Sequence, residues 1–300
     1  MITIVGSINL DLITAMDRLP KPGETVPGRS FRTAAGGKGA NQALAAARAG
    51  GQVRMIGAVG KDSFAAEALA LLKEGGVKLD QVAERDTETG IAVIFVDGEG
   101  ENVIAIVPGA NATMTAEAVS DIAFMRGEHI LLQHEIPLPA VDAVLDAAKE
   151  AGAITLLNTA PFRADAAPLL AKATYAVANE TEFDLFADAL ELPAGAREER
   201  MKAYVAATGN AMIVTLGGDG VIAATPSAFF KVAAMKITPI DTVGAGDTFC
   251  GYLGAALDAG LSLEEALRRA AVAGSLACLK SGAQPAIPLA SEVEAALDAA

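Results

Sequence analysis

The sequence predicts an α/β fold: a mostly parallel, doubly wound sheet flanked by helices, with a small β-sheet lid. Short apolar runs alternate with amphipathic helical stretches along the 300 residues. This alternation is typical of strands that are buried on both faces of a parallel sheet. Two extended segments, residues 11–35 and 90–108, interrupt it and are expected to pair as a lid, although two surface hairpins without function would give the same pattern. We therefore predict one domain, residues 1–300, that carries a lid.

Each element follows from its own pattern. The short apolar runs predict core strands at Ile2–Val5, Val53–Val59, His129–Gln133, Ile154–Asn158, Tyr175–Ala178, Met212–Thr215 and Val221–Ala224. Helical periodicity predicts helices at Gly39–Ala49, Ser63–Glu74, Pro137–Ala151, Thr181–Ala189, Ala196–Ala207, Thr248–Ala259 and Leu263–Ser281. In the second lid segment, the turn Asp97–Gly100 separates two predicted strands, Ile91–Val96 and Asn102–Val107.

Composition excludes several classes of function. The net charge of −14 argues against nucleic acid and anionic membranes as partners. No apolar run reaches the roughly 20 residues of a membrane-spanning helix. The first residues predict a buried strand and not a signal peptide. The two cysteines, Cys250 and Cys278, lack metal-ligand spacing, so we expect reduced thiols in a cytoplasmic protein.

The segment Asp241–Phe249 is the most informative turn of the chain. Gly244, Ala245 and Gly246 allow a tight turn before a helix, and a helix N-terminus attracts phosphate or another anion. Asp247 lies in the same turn. Its carboxylate either caps the helix or acts as a base beside a reacting phosphoryl group.

Two further turns carry groups that suit a sugar. Gly36–Asn41 opens a helix with paired glycines, a lysine and an asparagine, a pattern that is more often a plain helix start. The first strand is predicted to end in Asn9 and Asp11, which face the same way because alternate residues of an extended chain do so. A carboxylate beside an amide suits vicinal hydroxyls, but from this pair alone an ordinary turn after a strand is favoured.

Two more turns follow predicted strands farther along the chain. Asn179 and Glu182 have the types and the spacing for hydrated Mg²⁺ and equally for a capping box. Thr215–Gly220 leaves room for a ligand near its glycines, or forms a simple hairpin turn. In an open α/β sheet, the carboxyl ends of the strands are where ligands bind, so these turns are expected to gather there.

From Ile4 to about Pro288, the chain resembles the ribokinase-like family of carbohydrate kinases. Gly36–Asn41 resembles the first family signature, and Asp241–Phe249, with its Gly-Ala-Gly-Asp, resembles the second. Further matching segments are Gly23–Val26, Gly98–Ile104, Asn179–Glu182 and Gly282–Pro285. The resemblance implies an α/β core with a β-lid, and a homodimer formed through that lid.

The resemblance also implies an activity and a set of roles. The expected reaction is ATP-dependent phosphorylation of the primary hydroxyl of a sugar, with D-ribose as acceptor, Asp247 as base, and Gly244, Ala245 and Gly246 as the anion hole. The implied sugar contacts are Asn9, Asp11, Gly37, Lys38, Asn41, Glu135 and Asp247. The implied nucleotide contacts are Asn179, Thr215, Gly217, Gly220 and Gly246.

Two cations are implied by the same resemblance. Mg²⁺ is expected near Glu182 through water, and K⁺ is expected as activator at Asp241, Val243, Ala277, Lys280 and Gly282. Ala286 stands where the family has a serine that ligates this monovalent cation, so this chain offers one side-chain oxygen fewer.

Other functions remain open at this point. The acceptor could be deoxyribose, fructose or a nucleoside, although 4% aromatic residues and no tryptophan disfavour a stacked base. A sugar- or nucleotide-binding regulator without activity would not need Asp247. A dinucleotide-dependent reductase is disfavoured because no Gly-x-Gly-x-x-Gly follows the first strand.

Overall fold

The computed structural model describes residues 1–299. Its strands are β1 (Ile2–Val5), β2 (Asn9–Met16), β3 (Gly28–Gly36), β4 (Val53–Gly60), β5 (Lys78–Arg85), β6 (Gly90–Val96), β7 (Asn102–Val107), β8 (His129–Leu132), β9 (Ile154–Asn158), β10 (Tyr175–Asn179), β11 (Ala211–Thr215), β12 (Val221–Ala224) and β13 (Phe229–Val232). Its helices are α1 (Lys38–Arg48), α2 (Ser63–Ala68), α3 (Ala70–Glu74), α4 (Ala116–Val119), α5 (Leu138–Ala151), α6 (Ala167–Leu170), α7 (Glu180–Ala189), α8 (Arg197–Thr208), α9 (Ala245–Asp258), α10 (Leu263–Ala277), α11 (Ala283–Ala286) and α12 (Ala290–Asp298).

The core is a nine-stranded sheet in the order β13-β12-β11-β10-β9-β8-β1-β4-β5. All pairs from β11 to β5 are parallel, while β12 and β13 are added antiparallel at one edge. The interior strand β1 is buried along its whole length, with Ile2 opposite both Val53 and His129. This architecture confirms the predicted doubly wound α/β core.

Helices cover both faces of the sheet because the strands are apolar on both sides. On one face, α1, α9 and α10 bury Leu44, Leu253 and Leu267 in a single apolar cluster. On the opposite face, a second cluster includes Leu145 of α5 and Phe186 of α7. This sandwich holds the ends of β1, β8, β10 and β11 at one rigid edge, where the predicted ligand turns lie.

A separate four-stranded sheet, in the order β3-β2-β6-β7, forms the lid. Strands β6 and β7 form the predicted hairpin, in which Ile91 lies opposite Val107. Strand β2 joins the two lid segments, since it pairs antiparallel with β3 and parallel with β6. The lid predicted from the two interruptions of the αβ pattern is therefore confirmed as a sheet.

Several predicted boundaries were wrong. Asn9 and Asp11 do not end the first core strand, because β1 stops at Val5 and both residues belong to the lid strand β2. The predicted helix Ser63–Glu74 is divided at Leu69 into α2 and α3. Strands β5 and β13 were not predicted; both lie at the edges of the core sheet, and none of their residues is buried.

The helix of the glycine turn also begins earlier than predicted. It starts at Ala245 instead of Thr248, so Gly246 and Asp247 lie within its first turn. Among residues 1–299, no helix has the length and apolar character needed to cross a membrane. Both cysteines are free thiols.

Candidate active site

The N-terminus of α9 offers two free backbone donors. Gly244 is the N-cap residue and adopts φ 77°, a left-handed conformation that favours glycine. Within the part of the chain that the structure describes, the N–H groups of Gly246 and Asp247 donate to no protein oxygen. Free amides at the positive end of a 14-residue helix form an anion-binding site.

Asp247 does not cap this helix. Its side chain is 5% exposed and turns away from the α9 amides towards α1. Asn41 Nδ2 donates to Asp247 Oδ2 at 2.9 Å, and Gln42 Nε2 donates to Oδ1 at 3.1 Å. The capping interpretation of Asp247 is therefore wrong, which leaves the carboxylate available for chemistry.

Two opposing influences act on the Asp247 carboxyl. Burial raises its pKa above the ordinary value, while the nearby positive charge of Lys38 and the amide donors of Asn41 and Gln42 lower it. The negative charge of Asp247 in turn raises the pKa of Lys38, so this ammonium stays charged. The centre thus pairs a buried carboxylate with a cation that lies within electrostatic range.

The predicted sugar residues converge from the lid and the start of α1. A Cβ on Gly37 would lie 2.8 Å from the backbone nitrogen of Asn9, so α1 begins directly beside β2. Likewise, a Cβ on Gly36 would lie 2.7 Å from both oxygens of Asp11. Gly37 therefore lets the lid strand approach α1, while Gly36, on β3, leaves room for the Asp11 carboxylate within the lid sheet.

Glu135 and Asn111 fix the other side of this region. Glu135 Oε2 accepts from the backbone N–H of Lys38 at 2.9 Å and from Ser7 Oγ at 2.6 Å. Asn111, which the sequence analysis did not single out, donates Nδ2 to Asn9 Oδ1 at 2.7 Å. Since that oxygen is occupied, Asn9 presents its own NH₂ group as a donor.

Asp11 is the second perturbed carboxyl of the site. Burial raises its pKa to about 6, with a further upward contribution from the negative charge of Glu135 and a lowering contribution from Arg32. At neutral pH it is mainly ionised and accepts hydrogen bonds, which suits sugar hydroxyls. Asp11 and Asn9 therefore offer an acceptor and a donor on one face of β2.

A cavity of about 600 Å³ lies on the other side of the α9 N-terminus. All five residues predicted to contact the nucleotide line it: Asn179, Thr215, Gly217, Gly220 and Gly246. Asn179 and Glu182 also form the predicted capping box of α7, and Thr215–Gly220 forms the predicted turn between β11 and β12. In both cases the structural interpretation is correct, and Asn179 and the turn between β11 and β12 also border the cavity.

Sequence reasoning missed the other wall of this cavity. It consists of residues from α9, α10 and the loop before α9: Phe249, Ala271, Gly274, Ser275, Cys278, Met235, Lys236, Ile237 and Pro239. The only signal for α10 was Gly274, because a glycine inside a helix indicates a close approach. A Cβ there would lie 3.3 Å from the carbonyl oxygen of Ala245.

Three of the five predicted cation positions, Asp241, Val243 and Gly282, come together. Asp241 accepts from the backbone N–H of Val243 at 3.0 Å and from that of Gly282 at 2.9 Å, and thus joins the loop before α9 to the start of α11. The oxygens in this region are the Asp241 carboxylate, the Ser281 hydroxyl, which donates to Asp241 Oδ2 at 3.4 Å, and backbone carbonyls, a donor set that suits a hard cation. No cluster of three or more His, Cys, Asp or Glu side chains that could hold a metal occurs among residues 1–299.

Comparison with known proteins agrees with this geometry. The sequence model described as pfkB family carbohydrate kinase matches residues 1–290. This chain belongs to the PfkB family of carbohydrate kinases. A ribokinase of Lactococcus lactis is 39% identical over 300 residues, which cover 99% of this chain and 96% of that protein.

Solved structures give the same result. A ribokinase of Thermotoga maritima superimposes with a TM-score of 0.89 at 31% identity and 99% coverage of both chains. An Arabidopsis thaliana ribokinase complexed with ribose and ATP gives a TM-score of 0.86 at 32% identity, covering 99% of this chain and 98% of that chain.

Among the sequence relatives, a deoxyribokinase of Salmonella typhi is 32% identical over 96% of this chain and 95% of its own. Membership of this family identifies the protein as a carbohydrate kinase, while the named relatives differ in the sugar that accepts the phosphoryl group.

Proposed function

We propose that this PfkB kinase transfers the γ-phosphoryl group of ATP to the 5-hydroxyl of D-ribose, with Asp247 as the base. The observation that carries the proposal is the position of the first turn of α9. Ala245 and Gly246 line the 600 Å³ cavity, while the Asp247 side chain contacts α1 on the sugar side. One turn therefore borders both sites, as a direct transfer between two substrates requires.

Asp247 accepts the proton of the primary hydroxyl as the new P–O bond forms. Asn41 and Gln42 occupy one lone pair on each carboxylate oxygen, so each oxygen keeps another for the sugar. The hydroxyl oxygen attacks phosphorus, the bond to the leaving ADP oxygen breaks, and the proton passes to Asp247. Positioning and charge stabilisation supply most of the catalysis in such a transfer.

The developing negative charge is stabilised by the free amides of Gly246 and Asp247 and by the nearby Lys38. Mg²⁺ bound with ATP would add positive charge on the phosphate oxygens. Glu182 fits a water-mediated role towards this ion, since Oε2 accepts from the Asn179 N–H in the capping box and Oε1 accepts from no donor among residues 1–299. Asp241 and the carbonyls around it are the proposed K⁺ ligands, and Ala286 leaves that site one side-chain oxygen short.

D-ribose is the preferred acceptor because Asn9 and Asp11 present a donor and an ionised acceptor on the same strand face. The ribokinase relatives support the same choice. Deoxyribose is the second candidate, supported by the deoxyribokinase relative. It lacks one of the hydroxyls that such a pair recognises.

We also propose a homodimer formed through the lid. All six residues of β7 are exposed, and Val103, Ile104 and Ile106 are each more than half exposed. An exposed apolar edge strand is a typical site of association.

The free thiols Cys250 and Cys278 are consistent with the predicted cytoplasmic location.

A sugar panel tests the acceptor. The purified protein is incubated with ATP, Mg²⁺ and K⁺ and with ribose, 2-deoxyribose, fructose or a nucleoside, and ADP release is measured. We expect the highest kcat/KM with ribose, and a lower value with deoxyribose by about tenfold or more, because a lost hydrogen bond to a charged group costs about 1.5–3 kcal/mol. Faster turnover of another acceptor would refute ribose, and no turnover on any acceptor would favour a binding protein.

A further inference from the structure

Two buried glutamines outside the set of proposed substrate contacts connect Asp247 to the core sheet. Gln42 lies on α1 and Gln133 follows β8, and both are 0% exposed. Gln133 Nε2 donates to Gln42 Oε1 at 2.7 Å, and Gln42 Nε2 donates to Asp247 Oδ1 at 3.1 Å. The three side chains form one continuous chain of hydrogen bonds.

The donor and acceptor roles in these hydrogen bonds follow from the chemistry of the three side chains. An ionised carboxylate only accepts hydrogen bonds, so Gln42 must turn its NH₂ group towards Asp247. The amide oxygen of Gln42 then points away and needs a donor, which Gln133 supplies. Buried polar groups without partners are costly, so Asp247 fixes the orientation of Gln42, and Gln42 in turn fixes that of Gln133. The Gln133 Oε1 atom itself accepts from no donor among residues 1–299.

Gln133, the side chain farthest from Asp247 in this series of hydrogen bonds, is held by packing. A Cβ on Gly6, just after β1, would collide with the Gln133 amide oxygen. The Gln133 amide therefore lies directly against the backbone at the end of β1. Through this contact, the ends of β1 and β8 set the position of Gln42 on α1, and Gln42 in turn sets the position of the carboxylate on α9.

We propose that Gln42 and Gln133 are positioning residues that orient Asp247 for proton transfer, with Gln133 acting only through Gln42. This inference rests on the proposed role of Asp247 as base. Asn41 holds the other carboxylate oxygen. The hydrogen bonds from Gln133 through Gln42 to Asp247, hereafter the relay, therefore fix the rotation of the carboxylate about its Cβ–Cγ bond.

Charged and titratable groups from several elements face Asp247. They are Lys38 at the start of α1, Glu135 after β8, Glu182 on α7 and Cys250 on α9. The amide of Gln42 lowers the pKa of Asp247 against the effect of burial. Loss or reversal of that hydrogen bond should therefore raise the pKa further and move the acid limb of the rate profile to higher pH.

Gln133→Glu reverses the relay with almost no change of shape. Burial favours the neutral form of this new carboxyl, so the reversal takes place at the alkaline end of the pH profile, where the group is ionised. An ionised Glu accepts only, so Gln42 must then donate to it and present its oxygen to Asp247. There we expect kcat to fall by about tenfold to a hundredfold, with KM for ATP unchanged. Gln133→Met removes the amide without reversing Gln42, so its effect on kcat should be smaller.

A double-mutant cycle separates the relay from a charge effect through space. In a Gln42→Met background, Gln133→Glu should have no further effect on kcat or on its pH profile, because the link to Asp247 is already broken. Gln52→Glu, an exposed change of the same kind, is the charge control and should behave as the wild type. Thermal melting of each variant shows how much protein is folded.

The pKa of Asp247 also gives a readout without turnover. In ¹³C-labelled protein, the carboxyl signal of Asp247 is assigned by its loss in Asp247→Asn and titrated without substrate. The pKa should rise in Gln133→Met, where Gln42 loses the donor that orients it, and Gln133→Met should add no further rise in the Gln42→Met background. A full effect of Gln133→Glu on kcat in that background, or wild-type kcat at alkaline pH in Gln133→Glu together with a wild-type pKa in Gln133→Met, would overturn the relay. Since the titration needs no acceptor, failure of the sugar assignment is seen separately in the wild-type panel.

Discussion

At the scale of single residues, the site is defined by where carboxylates are buried. Asp247 is surrounded by amide donors and lies close to Lys38, while Asp11 lies on the lid near Glu135. Burial raises the pKa of both groups, and perturbed carboxyls are typical of functional sites. Both must be ionised for the roles proposed here, so activity should decline at acid pH for two separable reasons.

Asp11 predicts a pH dependence of sugar binding. Its pKa of about 6 means that it is ionised above pH 6 and neutral below it, so the acceptor for sugar hydroxyls is lost as pH falls. We expect KM for ribose to rise below pH 6, by about tenfold per pH unit at the limit. KM for ATP should stay flat over the same range. A ribose KM that does not change between pH 7 and pH 5 would contradict this role.

The sequence predicted these residues better than it predicted their surroundings. Asp247 and Asn41 were singled out because they lie in glycine-rich turns, and Asn9 and Asp11 because they were expected to end the first core strand, whereas both belong to β2. Gln42 and Asn111 were not, since neither has a distinctive spacing and their importance comes only from tertiary contacts. The helix-cap interpretation of Asp247 failed because the Gly-Ala-Gly residues before it have no clear helical signal, although α9 already begins at Ala245.

At the scale of elements, the decisive junction is between the loop ending at Gly244 and α9. A Cβ on Gly244 would lie 2.9 Å from Ala283, so α11 packs directly against the turn that carries the free amides. The strands and helices of the core were predictable from apolar periodicity. The two lid segments were expected to pair, but the parallel direction and the register of β2 against β6 were not predictable, because they join Asn9 to Gly90 and depend on long-range packing.

Gly244→Ala tests this junction. The left-handed φ of 77° alone should cost about 1 kcal/mol, and the collision with Ala283 should add to it and displace the anion site. Gly260→Ala is the matched control, because Gly260 has φ +81° with nothing within 4 Å. We expect Gly260→Ala to lower Tm by about 2 °C at full activity, and Gly244→Ala to lower Tm further and to reduce kcat severely. Equal Tm losses with normal kcat in both variants would show that the junction is unimportant.

At the scale of the whole molecule, the structure is a rigid α/β core with a lid whose outer strand is apolar and uncovered. The core brings the strand ends together, and the lid supplies Asn9 and Asp11. The fold class and the existence of the lid followed from the sequence. The cavity wall from α10 did not, because its small residues resemble ordinary helix packing.

The exposed lid strand predicts assembly. Ile104→Lys places a charge on β7, where the wild-type side chain is 51% exposed, and should convert a dimer into a monomer. Met125→Lys, at a residue that is 55% exposed outside the lid, is the control and should leave the dimer intact. Light scattering after size-exclusion chromatography gives the mass. A wild-type protein with the mass of one chain would contradict a lid-mediated dimer.

The central claim is that the buried Asp247 carboxylate is the base of a sugar phosphorylation. The most direct test is kcat for ribose in the wild type and in Asp247→Asn, with thermal melting to confirm folding and ribose binding measured separately. General-base catalysis contributes about 10²–10⁴-fold, so we predict a kcat loss of that size in a folded protein that still binds ribose. Near-normal turnover of ribose by folded Asp247→Asn would contradict the account.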